Sequence, residues 1–167
     1  MSFDTALVSV LRSEGGFVND ARDPGGMTCL GVTKHAWDAW KGGSVSEAEM
    51  RAFLPSTVAP FYRAMYWNPC HCDSLPPALA LVVFHCAVNA GVGRAAKLLQ
   101  KIVGAAPDGA IGPGTLAAVA RHDAKDLVIK FQDALRAFYQ SLPTFSTFGK
   151  GWFRRASLVQ AEAMALL

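Results

Sequence analysis

Charged side chains are scarce in this chain: Asp, Glu, Lys and Arg make up 17% of its 167 residues, where soluble proteins average about 25%. Hydrophobic residues reach 51%, which excludes a disordered chain, because disorder needs low hydrophobicity and strong net charge. A chain this long buries around 70% of its unfolded surface, enough for one substantial core. The net charge of +3 favours an anionic surface as partner. No basic run carries interleaved aromatics, so no nucleic-acid partner is expected. Alternating runs rich in β-branched residues are few, which confines strands to a small hairpin near residues 17–33. Tandem repeats and low-complexity linkers are missing as well.

Long apolar runs are also lacking. The longest stretch without Asp, Glu, Lys or Arg is Ser74 to Gly93; it holds two prolines, His85 and Asn89, and its apolar centre is too short to span a bilayer. A buried core helix is the expectation. The start, Met1 to Thr5, shows no basic region followed by an apolar stretch, so no signal peptide is expected. Cysteine is sparse and scattered, as Cys29, Cys70, Cys72 and Cys86. Cys70-His71-Cys72 is tighter than the paired knuckles of structural zinc sites. Neither metal nor organic cofactor is expected, and the thiols read as free in a reducing compartment, with disulfides open in an oxidising one.

What is present is mostly helical periodicity. Phe3, Leu7, Val10 and Leu11 recur at three- and four-residue intervals, with Ser2 or Asp4 to cap the start and Gly15-Gly16 to end the helix. Ser46-x-x-Glu49 is a capping-box pattern opening a helix to Phe53. Further helices are expected over Thr57 to Tyr66, Pro77 to Asn89, Ala95 to Val103, Pro113 to about His122, Asp126 to Leu142 and Gly151 to Leu166.

The chemistry concentrates where the first helix ends. Glu14 lies four residues after Val10 and three after Leu11, at the edge of the buried face. Partial desolvation there would raise its pKa, as a general acid working near neutral pH requires. Asp20 and Asp23 follow on a loop containing Pro24, Gly25 and Gly26, residues that fix backbone direction rather than fill a core. A glycosidase needs one carboxylic acid to protonate the leaving oxygen and usually a second carboxylate acting on water or the sugar. Asp20 and Asp23 fit that second role, and equally fit Asx-turn capping. Thr28 is placed to orient a water or to bond backbone.

The run Glu14-Gly15-Gly16, Asn19-Asp20, Asp23-Pro24-Gly25-Gly26, Thr28 and Gly31-Val32-Thr33 resembles the signature of glycoside hydrolase family 108, bacterial and phage N-acetylmuramidases that include secretion-activator-like proteins. Tyr66-Trp67, Asp73-Ser74-Leu75-Pro76, Ala87-Val88-Asn89-Ala90-Gly91, Leu99-Gln100, Asp108 to Pro113 and Phe148 to Trp152 resemble the same family in the same order. The resemblance implies a mainly α, single lysozyme-like domain with a small hairpin or irregular active-site loop near the N-terminus. It also implies that Glu14 is the catalytic glutamate. The Glu14, Asp23 and Thr28 spacing is loosely similar to the Glu/Asp/Thr arrangement of phage-type lysozymes. Where family members commonly read Phe-Asp, this chain has Phe84-His85. The activity implied is hydrolysis of the β-1,4 bond between N-acetylmuramic acid and N-acetylglucosamine in peptidoglycan, as in an endolysin. A lytic transglycosylase and a non-catalytic wall-binding or secretion-accessory protein are the alternatives. Without a signal peptide, synthesis in the cytoplasm and access to the wall through a holin or another release route are expected.

Residues 98–119 resemble a short peptidoglycan-binding helical module, so 1–92 is expected to form the catalytic region and 93–167 a binding region packed on it as one unit. Asp108-Gly109 and Gly112-Pro113 also suit plain helix connectors. Asn19, Trp67 and Asn89 are the expected substrate contacts, Trp67 by stacking on a hexose at a helix end. Lys150 to Arg155 followed by an Ala/Leu-rich helix suggests weak membrane contact, against packing on the domain. A monomer is expected.

Overall fold

The computed structural model describes residues 1–19 and 26–167. They form nine α-helices and one two-stranded antiparallel sheet, a mainly α architecture. The chain groups into two compact units, Asp4–Met65 and Met1–Phe3 with Tyr66–Leu167.

In the smaller unit, α1 (Phe3–Leu11) buries Ala6, Leu7 and Val10, the spacing its stripe predicts. It stops three residues before Glu14, earlier than the glycines suggested. The Ser13 and Glu14 N–H groups turn back to the Val10 and Leu11 carbonyls at 3.0 and 3.2 Å, and these i−3 bonds tighten and close the helix. The strands β1 (Thr28–Cys29) and β2 (Val32–Thr33) pair Thr28 with Thr33 and Cys29 with Val32. Next comes α2 (Lys34–Lys41), a helix the sequence reading did not assign. The Thr33 side chain accepts from Ala36 N–H, and Gly42 closes the helix in the left-handed region. Its Trp37 is buried against Trp40, Phe53 and Phe61. The carboxylate of Asp38 takes Lys34 and, at 2.8 Å, the Val45 N–H. Those bonds, led by the one from Lys34, hold its pKa below the usual carboxylate range. The capping box forms as expected at α3 (Glu47–Arg51). The helix α4 (Pro55–Tyr62) then widens into a π-helical turn over Arg63–Trp67.

The larger unit centres on α5 (Pro77–Ala90), whose residues from Ala78 to Ala87 are all buried. It packs against α6 (Val92–Val103), α8 (Ala124–Gln140) and α9 (Phe145–Met164), with α7 (Pro113–Val119) against α6. Phe3, Trp67 and Phe84 form an edge-to-face cluster with ring centroids 5.3–6.0 Å apart. The last helix begins six residues before the expected Gly151. Each interior glycine costs about 1 kcal/mol of helix propensity, but Gly149 has a packing reason. A Cβ there would run into the Phe145 ring, so glycine lets that ring lie across the helix backbone. Among the described residues no helix is long and apolar enough to cross a membrane.

Candidate active site

The site is built around a two-residue turn. Leu30 and Gly31 join β1 to β2 with φ of 48° and 73°, two positive values in succession, as in a type I′ hairpin turn. For leucine the left-handed region costs roughly 1–2 kcal/mol, so surrounding bonds must hold it. They do: the Leu30 N–H donates to the Gly15 carbonyl at 3.2 Å, and the Leu30 carbonyl accepts from the Tyr62 hydroxyl at 2.9 Å. Backbone strain of this kind gathers at functional sites.

Glu14 converges on the same turn. A Cβ on Gly31 would lie 2.5 Å from the Tyr62 hydroxyl oxygen and 2.7 Å from Glu14 Oε2. The half-buried carboxylate of Glu14 and the phenol of Tyr62 thus close on one backbone position from which a side chain is excluded. Tyr62 is only 1% exposed, so its ring is a fixed wall.

The segment after Glu14 is fixed as well. Val18 and Thr28 exchange two backbone hydrogen bonds of 2.8 Å. The Arg51 guanidinium lies 4.0 Å over the Phe17 ring and bonds Glu47 at 2.6 Å, while Asn19 Nδ2 donates to Glu47 Oε2 at 3.3 Å. α3 therefore clamps the chain leading away from Glu14 toward the expected carboxylates.

Of the expected site residues, Glu14, Asn19 and Thr28 share the smaller unit, Thr28 on β1. Asp20 and Asp23 lie outside the described residues. Trp67 is corrected: it is 0% exposed and enclosed by Phe3 and Phe84, so no sugar reaches it, and its helix-end position reflects core packing. Asn89 belongs to the larger unit, half-buried, its Nδ2 donating to the His85 carbonyl at 2.8 Å. The sequence reading missed the pairing of Tyr62 with Gly31. No spacing rule connects positions thirty-one residues apart.

His85, where an acid is usual in the resembled family, is buried beside a small cavity that Asn89, Gln132 and Tyr139 also line. Burial foremost, and then Arg155, pushes its pKa down to about 4 against an opposing pull from Glu162. It is therefore neutral at pH 7. Among the described residues no group of three or more His, Cys, Asp or Glu side chains is placed to hold a metal ion.

In the larger unit the Asp108 to Pro113 segment is stapled by one buried residue. Gln100 Nε2 donates to Asp108 Oδ1 (2.6 Å), the Ala110 carbonyl (2.9 Å) and Thr115 Oγ1 (3.2 Å), and its Oε1 accepts from Gly109 N–H at 3.0 Å. This segment is thus a connector locked from inside.

Residues 7–91 match a family model described as Glycosyl hydrolase 108, and residues 94–157 match one described as Predicted Peptidoglycan domain. The solved structure of Brucella abortus SagA is similar along nearly the whole chain. The two share 41% identity over 98% of this chain and 94% of that one, with a TM-score of 0.87. Among curated proteins none matches.

Proposed function

From the premise that the chain belongs to the glycosyl hydrolase 108 family, we propose that it is an N-acetylmuramidase whose general acid is Glu14. The family makes it a glycoside hydrolase, and the second match makes peptidoglycan its polymer. The finer reading rests on one observation: Glu14 Oε2 is packed so closely on Gly31 that no side chain fits between them. A carboxyl group held by a strained hairpin and a buried tyrosine has a fixed direction, which is what proton delivery to a glycosidic oxygen needs.

In this mechanism protonated Glu14 donates to the oxygen leaving from N-acetylmuramic acid. Asp23 or Asp20 stabilises the developing positive charge or positions the water that completes hydrolysis. Tyr62 and the Leu30–Gly31 turn act through Glu14 as positioning groups. The test is mass spectrometry of muropeptides released from purified peptidoglycan by wild type and Glu14→Gln. Products with reducing-end muramic acid that vanish in the variant are expected. Anhydro-muramic products would replace the hydrolase with a lytic transglycosylase, in which the muramic 6-hydroxyl takes the place of water. A folded wild type that binds the wall and releases nothing would reduce the chain to a binding or secretion-accessory role.

A further inference from the structure

Among the described residues, Leu30 and His71 are the two other than glycine with a left-handed backbone. Leu30 belongs to the Glu14 site; His71 does not. It lies in the larger unit between Cys70 and Cys72, with φ of 49° and ψ of 37°. Local bonds hold this turn: the His71 N–H donates to the Asn68 carbonyl, and the His71 carbonyl accepts from the Ser74 N–H, both at 2.9 Å. The imidazole itself is exposed, whereas Cys70 and Cys72 are 0% and 2% exposed. The unfavourable turn therefore places two buried cysteines rather than the histidine between them.

The angles at His71 are close to those of a left-handed helical step. Such a step, of either hand, separates the Cα atoms of residues i and i+2 by about 5.4 Å, from a radius of about 2.3 Å and a rise of about 1.5 Å per residue. An extended residue would separate them by about 6.7 Å. Disulfides favour about 5.5–6 Å and reach their far limit near 6.8 Å, so the left-handed turn moves the pair from the edge of that range to its centre. The two thiols lie within hydrogen-bonding reach of each other. Cys86 on α5, 1% exposed, stands near enough to Cys70 to feel its charge. A metal ion fits worse, because among the described residues no third His, Cys, Asp or Glu joins the pair in a group able to hold one.

We infer that Cys70 and Cys72 are a disulfide site, and that the turn at His71 selects this pair for oxidation when the chain folds in the presence of a low-molecular-weight disulfide. One cysteine thiolate attacks a sulfur of the oxidant, forming a mixed disulfide and releasing one small thiolate. The second cysteine thiolate attacks the protein sulfur of that mixed disulfide, which closes the Cys70–Cys72 bond and releases the other small thiolate. The cysteines lose two electrons and two protons, and the oxidant takes up both and becomes two thiols. Timing belongs to the site as well. Thiols sealed in apolar surroundings are inert, so the bond closes while the segment is still open, and a chain folded in a reducing compartment keeps the dithiol. The bond thus records where the chain folded. Nothing in this depends on the role of Glu14.

The experiment uses the full wild-type chain, reduced and unfolded in urea, then diluted into a buffer of reduced and oxidised glutathione. A second sample stays in urea with the same glutathione mixture. Both are quenched with acid, alkylated and cleaved before aspartate. That cleavage puts Cys29, the Cys70 and Cys72 pair, and Cys86 on separate peptides, residues 23–37, 38–72 and 73–107. After refolding, peptide 38–72 should carry no alkyl group and be lighter by two hydrogens than its dithiol form. The ratio of that bond to the free dithiol should exceed the urea value by about tenfold or more, because the folded turn preorganises the two sulfurs. Circular dichroism checks that the refolded chain has regained its helices. An equal ratio in the two samples overturns the inference, since the turn would then select nothing. Peptide 38–72 cross-linked to 73–107 assigns the bond to Cys86 and equally overturns it. So does a refolded chain in which all four thiols take the alkyl label, or one that regains its helices only with the pair reduced.

Discussion

Gly31→Ala is the sharpest test of the site, because the structure separates its two effects. The first is conformational: φ at Gly31 is +73°, and an L side chain there costs roughly 1–2 kcal/mol. The second is steric. The new Cβ would stand 2.5 Å from the Tyr62 oxygen and 2.7 Å from Glu14 Oε2, whereas ordinary contact begins at 3.4 Å. Relief requires the Glu14 carboxylate to retreat by about 0.7 Å and the Tyr62 hydroxyl by slightly more, which stretches or breaks its bond to Leu30. That bond contributes about 1 kcal/mol, so the total loss of stability should be about 2–3 kcal/mol. A displacement approaching 1 Å of a reacting group costs on the order of a hundredfold in rate.

Gly42→Ala supplies the control. Its φ is +75°, but nothing lies within 4 Å of the added Cβ. It should lose the conformational part of the stability and keep its activity. Urea denaturation reads the first quantity, and initial rates of reducing-end release from purified peptidoglycan, taken well below the unfolding transition, read the second. If Gly31→Ala proves as active as Gly42→Ala, the close approach does not position Glu14 and the reasoning fails.

Tyr62→Phe keeps the ring and removes the bond to Leu30; it should lower kcat several-fold with little change in KM, and an equal rise in KM would instead mark Tyr62 as a substrate contact. Gln100→Leu should cost about 1–2 kcal/mol, because the buried Thr115 hydroxyl loses a partner while the exposed Asp108 and Ala110 turn to water; a loss under about 0.5 kcal/mol would show that the staple is dispensable. For His85, the folded-state pKa of about 4 lies below the ordinary 6.5. The unfolded chain therefore binds the extra proton first, and stability falls as pH drops from about 6.5 to about 4, by about 3 kcal/mol in all. His85→Leu should flatten that slope in urea melts, and an unchanged slope would refute the assignment. The four free cysteines are all buried. Burial pushes Cys86 up to about 12 and raises Cys29, while the Cys70 thiol and then burial raise Cys72. A thiol reagent at pH 8 should label the native protein slowly and all four sites after denaturation; fast native labelling would contradict the packing.

Some of this was legible in the sequence because its signals are local. The Ser46–Glu49 capping box, the apolar run of α5 and the stripe of α1 each depend on residues within one or two turns, where periodicity and caps act directly. The beginning of α9 was not legible, because Gly149 and Gly151 argue against a helix until the Phe145 ring is seen to require the space above Gly149. Likewise α2 has its caps, Thr33 and Gly42, but two tryptophans, three residues from its start and one from its end, look like binding residues until Phe53 and Phe61 are found packed against Trp37.

Trp67 and Tyr62 show the same limit at the site itself. Both are aromatic and both occur near the end of the α4 helix, so composition ranks them equally as sugar platforms. Their environments separate them. Trp67 is sealed between Phe3 and Phe84, whereas the Tyr62 hydroxyl reaches the one hairpin carbonyl whose residue has an unfavourable φ. The conformation of Leu30 is thus supported from the far end of α4 and from Gly15, next to Glu14. A change in either support should therefore appear in the position of the acid before it appears in the core. The order of effects follows: Tyr62→Phe, which keeps the buried ring, should lower the rate at small cost in stability, and substitutions at Trp67 should do the reverse. Trp67→Phe, which keeps a ring in the same enclosure, should lower the melting temperature while leaving the rate per folded molecule unchanged. A rate loss without destabilisation would return Trp67 to the substrate groove.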